Sequence, residues 1–152
     1  VSVQAIDKKG NMFTIPATKI KFGYRECDLS RDLIFLSASF KGEFKDKKEI
    51  DTLTNKLKNQ KEVAQPTRVK TGGSTFKNPI KQTNKKVWEL IKKSVPSDTK
   101  FGDAEISIKH SNFLVNKNNA SFSDMKSLID LIKKKVLLKT GIKLETEIEI
   151  IE

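Results

Sequence analysis

The stretch TGGSTFKNP, Thr71 to Pro79, divides the chain. Upstream, Lys47 to Val63 carries apolar residues at helical period, with Ile50, Leu53 and Leu57 in line, until Gln65-Pro66 ends it. Downstream, Val87, Leu90 and Ile91 mark a shorter helix with Trp88 beside them. Pro66 to Ile80 therefore reads as a loop rich in turn residues. Its composition exceeds what a turn needs. Paired glycines permit positive φ and close backbone approach to a ligand. Ser74 follows with a hydroxyl that a cleft could receive, and Lys77 and Asn78 are suited to an anion or a diphosphate. A tight loop with a hydrophilic tip would use the same residues, and their chemistry leaves both readings open. The run lacks the spacing and the GK[ST] ending of a phosphate-binding Walker A loop.

Outward from this stretch, strands and helices alternate without a regular βαβ repeat, which predicts an α+β fold. VSVQAI, a DKKGN turn and MFTI form an expected β-hairpin. Asp32 to Phe44 shows the strongest alternation, with Ile34, Leu36, Ala38 and Phe40 expected on one fully apolar face. SVPSDTKFGD reads as a connecting loop. Ala104 to Ile108 and Asn112 to Val115 read as short strands. Ser121 or Ser123 caps a long helix whose apolar set is Met125, Leu128, Ile129, Ile132 and Val136, and Gly141 stops it. Lys143 to Ile151 is expected to close the chain as a strand, with Leu144, Thr146, Ile148 and Ile150 on one face and Glu145, Glu147 and Glu149 on the other.

The 152 residues suffice for one domain or two small ones with a real core. Formal net charge is +11, yet Arg25, Arg31 and Arg68 are the sole arginines among 30 basic residues. Lysine lacks the planar fork that reads phosphates and base edges, and the lysines are spread along the whole chain. That distribution argues against a dedicated nucleic-acid surface, while a lysine-rich nucleic-acid-binding module without catalysis stays as the alternative reading. One cysteine, Cys27, allows no intrachain disulfide, and one histidine allows no multi-histidine metal site. No apolar run approaches the ~18 residues of a membrane span. Cytosol is the expected compartment, with no membrane partner and no metal. The chain opens at Val1 within a strand pattern, which suggests one piece of a longer protein.

Three further places carry chemistry. GYREC, Gly23 to Cys27, sets an arginine in an aromatic, glycine-containing segment, where it serves either as an anion binder or in a surface salt bridge. Cys27 itself reads as a small buried hydrophobe. His110 either caps a loop or touches a ligand. The glutamates of the last strand read as a solvated face, although a carboxylate crossing a ligand cleft, at Glu147, would look the same.

In order, the chain presents GYR, a strand, a helix, QPTRVKTGGSTFKNP, a VWELI helix, GDAEISIKHSNFLVN, a long helix and LETEI. This series resembles the carboxy-terminal half of the UDP-N-acetylenolpyruvoylglucosamine reductases, the MurB flavoenzymes of peptidoglycan synthesis, over essentially the whole chain. GGSTFKNP and SIKHSNFLVN are the specific motifs. The resemblance implies a cytosolic enzyme that binds FAD, takes hydride from NADPH and reduces UDP-N-acetylglucosamine enolpyruvate to UDP-N-acetylmuramate. It implies catalytic roles for Arg25, for Ser74 as proton donor and for Glu147. It further implies substrate contacts from Tyr24, Lys77, Asn78 and His110, and cofactor contacts from Tyr24, Arg25 and Gly73.

The chain departs from the family pattern at several points. Ala64 stands where a lysine often precedes the Gln-Pro step, and Glu149 follows Ile148 where arginine is usual. The distance from GYR to GGS matches the subgroup that lacks an extra tyrosine loop. The family's amino-terminal flavin-binding motifs are not in these residues. By resemblance, residues 1–66 complete the FAD-binding domain, 67–142 form the substrate-binding domain and 143–152 return to the FAD domain. The chain alone is then expected to bind FAD poorly and to be inactive without its amino-terminal partner half.

Overall fold

The computed structural model describes residues 1–151 and divides after Ile50 into two compact units. The first contains β1 (Ser2–Ile6), β2 (Met12–Pro16), β3 (Phe22–Gly23), β4 (Glu26–Cys27) and β5 (Ile34–Ser39). β1 is the centre of an antiparallel sheet of order β2-β1-β5. The expected hairpin is present, and its turn is held by Asp7, whose carboxylate accepts from the Lys9 and Asn11 backbone N–H groups at 2.8 and 2.9 Å.

The expected single apolar face of β5 is not formed. Gln4 pairs with Ser37 and Ala5 with Phe35, so Leu36 is an extra residue in the ladder. Such a bulge shifts the period-two alternation by one. Phe35 and Ala38 therefore share the face of Ala5, while Ile34 and Ser37 share that of Gln4, where the Ser37 hydroxyl meets Gln4 Oε1 at 2.9 Å. The strand is also shorter than Asp32–Phe44, and all six of its residues are exposed. Among the described residues the buried hydrophobics of this unit are Ala5 and Ile20. Cys27, expected inside, is exposed, because the two-residue strand β4 has β3 alone as a ladder partner. The helix predicted from Lys47 is α1 (Lys47–Ala64), and its apolar line is likewise uncovered among the described residues.

The second unit holds β6 (Lys70–Ser74), α2 (Val87–Ser94), β7 (Lys100–Phe101), β8 (Ala104–Ile106), β9 (Phe113–Asn116) and α3 (Phe122–Thr140). The strands form one antiparallel sheet of order β6-β9-β8-β7. α2 and α3 pack on each other, and α3 also lies on β7 and β8. The core joins Phe76, Leu90, Ile91, Ile106, Leu114, Leu128, Ile132, Val136 and Leu144. This is an α+β arrangement. Ser121 is the N-cap of α3: its hydroxyl accepts from Asp124 N–H at 3.1 Å and Asp124 Oδ2 accepts from Ser121 N–H at 2.9 Å. Gly141 ends the helix at φ 73°, as its position predicts.

Three expectations differ here, the first being that the SVPSDTKFGD loop contains the two-residue strand β7, which pairs with β8. The Pro66–Ile80 loop contains the edge strand β6, which the turn-forming glycines disguise. The closing strand does not form as a strand. Its segment makes a single bridge, Thr146 to Phe76, because its ladder neighbour runs on only through residues 75–77. Its alternation is nevertheless partly kept, with Leu144 buried and Glu145 and Glu149 exposed. Glu152 lies outside the described residues.

Candidate active site

The two glycines of TGGSTF build a β-bulge. Thr71 pairs with Val115 and Ser74 with Phe113, so three steps on β6 oppose two on β9. Thr71 secures the bulge from below: its hydroxyl donates to Leu114 O at 2.7 Å and accepts from Gly73 N–H at 3.3 Å. Gly73 takes φ 86°, in the region where side chains are strained, and no atom lies within 4 Å of where a Cβ would stand. The extra residue turns the strand before Ser74, which is half-buried, while Thr75 and Phe76 are buried. The bulge thus separates a half-buried hydroxyl-bearing step from a buried anchor.

The carboxy-terminal segment crosses this anchor. Glu147 N–H donates to Thr75 O at 2.8 Å and Lys77 N–H donates to Glu145 O at 2.9 Å. Ser74 and Glu147, 73 positions apart in sequence, are thereby brought onto adjoining backbone, and Glu147 is half-buried. Lys77 follows on the same segment and is half-buried. Asn78 uses its side-chain oxygen to accept from Val87 N–H at 3.0 Å, which starts α2.

His110 sits in the turn before β9. Its ring meets Phe113 edge-on at 5.0 Å and Trp88 at 6.4 Å. Nδ1 accepts from Asn112 N–H at 3.2 Å, which places the proton of the neutral ring on Nε2. Burial lowers its pKa below the ordinary histidine value. The ring is therefore presented as a neutral donor. Phe113 links this ring to the bulge, because it is the cross-strand partner of Ser74.

Tyr24 and Arg25 belong to the first unit. They form the two-residue turn between β3 and β4, with Gly23 paired to Glu26. Arg25 stands at φ 63°, in the left-handed region, which costs a non-glycine residue about 1 kcal/mol. Its guanidinium carbon lies 5.6 Å from the centre of the Tyr24 ring. Both residues are exposed.

Asn112 carries no local signal of its role. It was visible as a polar residue heading an apolar strand, within SIKHSNFLVN, but no local pattern revealed its partner. The residue is buried, and its side-chain amide is bound twice to the backbone of Phe76, 36 positions away. Thr71 was likewise read as part of a turn and is instead the brace of the bulge.

Among the described residues no helix is long and apolar enough to cross a membrane. Residues 65–151 match the family model described as UDP-N-acetylenolpyruvoylglucosamine reductase, C-terminal domain. The chain is 64% identical over 152 residues to the UDP-N-acetylenolpyruvoylglucosamine reductase of Pelagibacter ubique, covering all of this chain and 50% of that protein. Against the reductase of Rickettsia conorii it is 39% identical over 149 residues, covering 98% of this chain and 50% of the other. A crystal structure of UDP-N-acetylenolpyruvylglucosamine reductase (MurB) from Thermus caldophilus superposes with a TM-score of 0.79 at 28% identity, over 97% of this chain and 51% of that one. The chain therefore spans about half the length of the curated relatives it matches. The run of motifs, the bulged GGS strand and these matches agree: the chain belongs to the UDP-N-acetylenolpyruvoylglucosamine reductase family.

Proposed function

We propose that this chain is the carboxy-terminal half of a cytosolic, FAD-dependent reductase that converts UDP-N-acetylglucosamine enolpyruvate to UDP-N-acetylmuramate at the expense of NADPH, in peptidoglycan synthesis. The observation that carries the reading is the hydrogen bond from Glu147 N–H to Thr75 O, which sets Glu147 against the residue that follows Ser74, in a chain of this family. We assign residues 1–66 to the flavin-binding domain, 67–142 to the substrate-binding domain and 143–152 to a closing segment that returns to the former. The exposed apolar residues of the first unit, among them Phe35, Leu36 and Phe40, support a second half that covers them. Without that half the chain is inactive.

The residues fit one edge of a flavin site. Gly73 leaves its backbone open to a flat ring, since nothing occupies the space of a Cβ there. Bound flavin, once reduced, supplies the hydride that adds to the terminal carbon of the enolpyruvyl group. Charge then develops towards the substrate carboxylate. The Arg25 guanidinium, on an exposed turn and 5.6 Å from the centre of the Tyr24 ring, stabilises it as a cation. The Ser74 hydroxyl delivers the proton to the neighbouring carbon. Serine is a weak acid, so this needs close alignment, which a braced bulge provides better than a free loop. Glu147 hydrogen-bonds the enol as the charge forms. The neutral Nε2–H of His110 and the cation of Lys77 bind acceptor oxygens of the substrate, with Tyr24 and Asn78 as further contacts.

The test is Ser74→Ala in the full-length enzyme. Flavin reduction by NADPH continues at the parent rate, while reoxidation by the enolpyruvyl substrate slows by ~10² or more, as expected for loss of a general acid. Equal rates in both half-reactions would remove Ser74 from the role.

A further inference from the structure

We infer that Asn112 is a positioning residue for Ser74 and Glu147: its side-chain amide, bound in both directions to the Phe76 backbone, fixes the short piece of chain that follows Ser74 and to which the Glu147 backbone is hydrogen-bonded. The inference rests on the proposed roles of those two residues.

Thr75 and Phe76 directly follow Ser74 in the chain. Both residues are buried, so each N–H and C=O needs a partner. Thr75 N–H donates to Asn112 O at 2.8 Å. Phe76 N–H donates to Asn112 Oδ1 at 3.0 Å. Phe76 O accepts from Asn112 Nδ2 at 2.9 Å. The remaining group, Thr75 O, accepts from Glu147 N–H at 2.8 Å. One residue thus satisfies three of the four groups, and the proposed carboxylate residue satisfies the fourth.

The geometry explains why asparagine stands there. β6 pairs with β9 through Ser74 and Phe113, and the regular ladder ends at that pair. Beyond it the Asn112 amide takes the place of a strand's peptide group, offering one donor and one acceptor in the same orientation. Phe76 is then pinned on one side by Asn112 and on the other by its bridge to Thr146. Asn112 also reaches the histidine, since its own N–H donates to His110 Nδ1 at 3.2 Å. A single buried residue therefore ties the bulge, the carboxy-terminal crossing and the His110 ring to one another.

Two measurements test this. In the full-length enzyme, Asn112→Ala is expected to leave flavin reduction by NADPH within twofold of the parent and to slow reoxidation by the enolpyruvyl substrate ~10²-fold, the scale of a misplacement of about 1 Å. Asn112→Asp keeps the acceptor and regains the donor only when protonated. Its reoxidation rate, relative to the parent, is expected to rise as pH falls, a dependence that Asn112→Ala does not show. In the 152-residue chain, Asn112→Ala is expected to raise amide exchange at Thr75, Phe76 and Glu147 while exchange in α3 stays unchanged. Ser74→Ala runs alongside as the control. If Ser74→Ala slows reoxidation and Asn112→Ala does not, the inference fails and the function stands. If Ser74→Ala has no effect, the proton-donor reading fails, and the exchange at Glu147 and Thr75 alone decides for or against the clamp. Variants that lose the fold, or that slow both half-reactions equally, make Asn112 a structural residue and overturn the inference.

Discussion

The two units of this chain treat the same kind of sequence signal in opposite ways. In the second unit, the apolar stripe of α3 is buried at Leu128, Ile129, Ile132 and Val136 against a sheet and a second helix. In the first, β5 carries an equally strong apolar pattern, yet Ile34 is 60% exposed and Phe35 and Leu36 are 50% exposed. An apolar pattern records that a face needs cover. It does not say that the cover lies within the same stretch of chain. The second unit contains its own cover, whereas the first displays apolar surface that a longer protein would be expected to bury.

The largest effect expected from this contrast is in the core. Leu128→Ala should cost about 3 kcal/mol in thermal or denaturant unfolding of the chain, since the side chain is fully buried. Leu36→Ala in the same chain should stay within about 0.5 kcal/mol, as for an exposed position. In a protein of the relatives' length Leu36→Ala should become costly, by about 2 kcal/mol, if the proposed second half covers it. Similar costs for both variants in the isolated chain would erase the contrast.

A smaller effect sharpens the picture of how the second unit is delimited. Ser121→Ala removes the cap that begins α3 and should cost about 1 kcal/mol, read as a lowered unfolding midpoint. Gly73→Ala should cost a similar amount, about 1 kcal/mol, from backbone strain alone, because no neighbour would clash with the added methyl. Its effect on substrate reoxidation of the flavin in the full-length enzyme should exceed its effect on stability. A Gly73→Ala enzyme with parent rates would show that the bulge need not approach a ligand closely.

The smallest effect is with pH. Burial holds the His110 pKa below its ordinary 6.5, so near and below that value the unfolded chain takes up a proton that the folded chain refuses. Stability of the second unit should be flat above this range and fall as pH drops through it. His110→Gln should abolish that slope. An unchanged slope would show that another group is responsible.

Much of the second unit was legible in sequence because its signals are local. The cap at Ser121, the stop at Gly141 and the 3.6-residue period of α3 each involve residues within a few positions. The α+β class followed from the mixture of periods. β6 was not legible, since two glycines and a threonine read as a turn, and the partner strand lies 39 to 46 positions away. The face of β5 was misread for a related reason: the bulge at Leu36 is set by pairing with β1, which period alone does not reveal. At the site, Ser74 and Glu147 became candidates through motif resemblance, and their adjacency came from the crossing at Phe76. Asn112 remained hidden because its meaning is wholly tertiary: an amide that replaces a peptide group of a strand that is not there.

The turn at Arg25 has a practical consequence for anyone engineering this chain. A left-handed backbone there suits glycine or asparagine better than arginine, so selection for heat resistance alone should enrich Arg25→Gly or Arg25→Asn. A library screened on survival of the fold would then lose the guanidinium first, and, under the role proposed for Arg25, its most robust members would be the ones to distrust as catalysts.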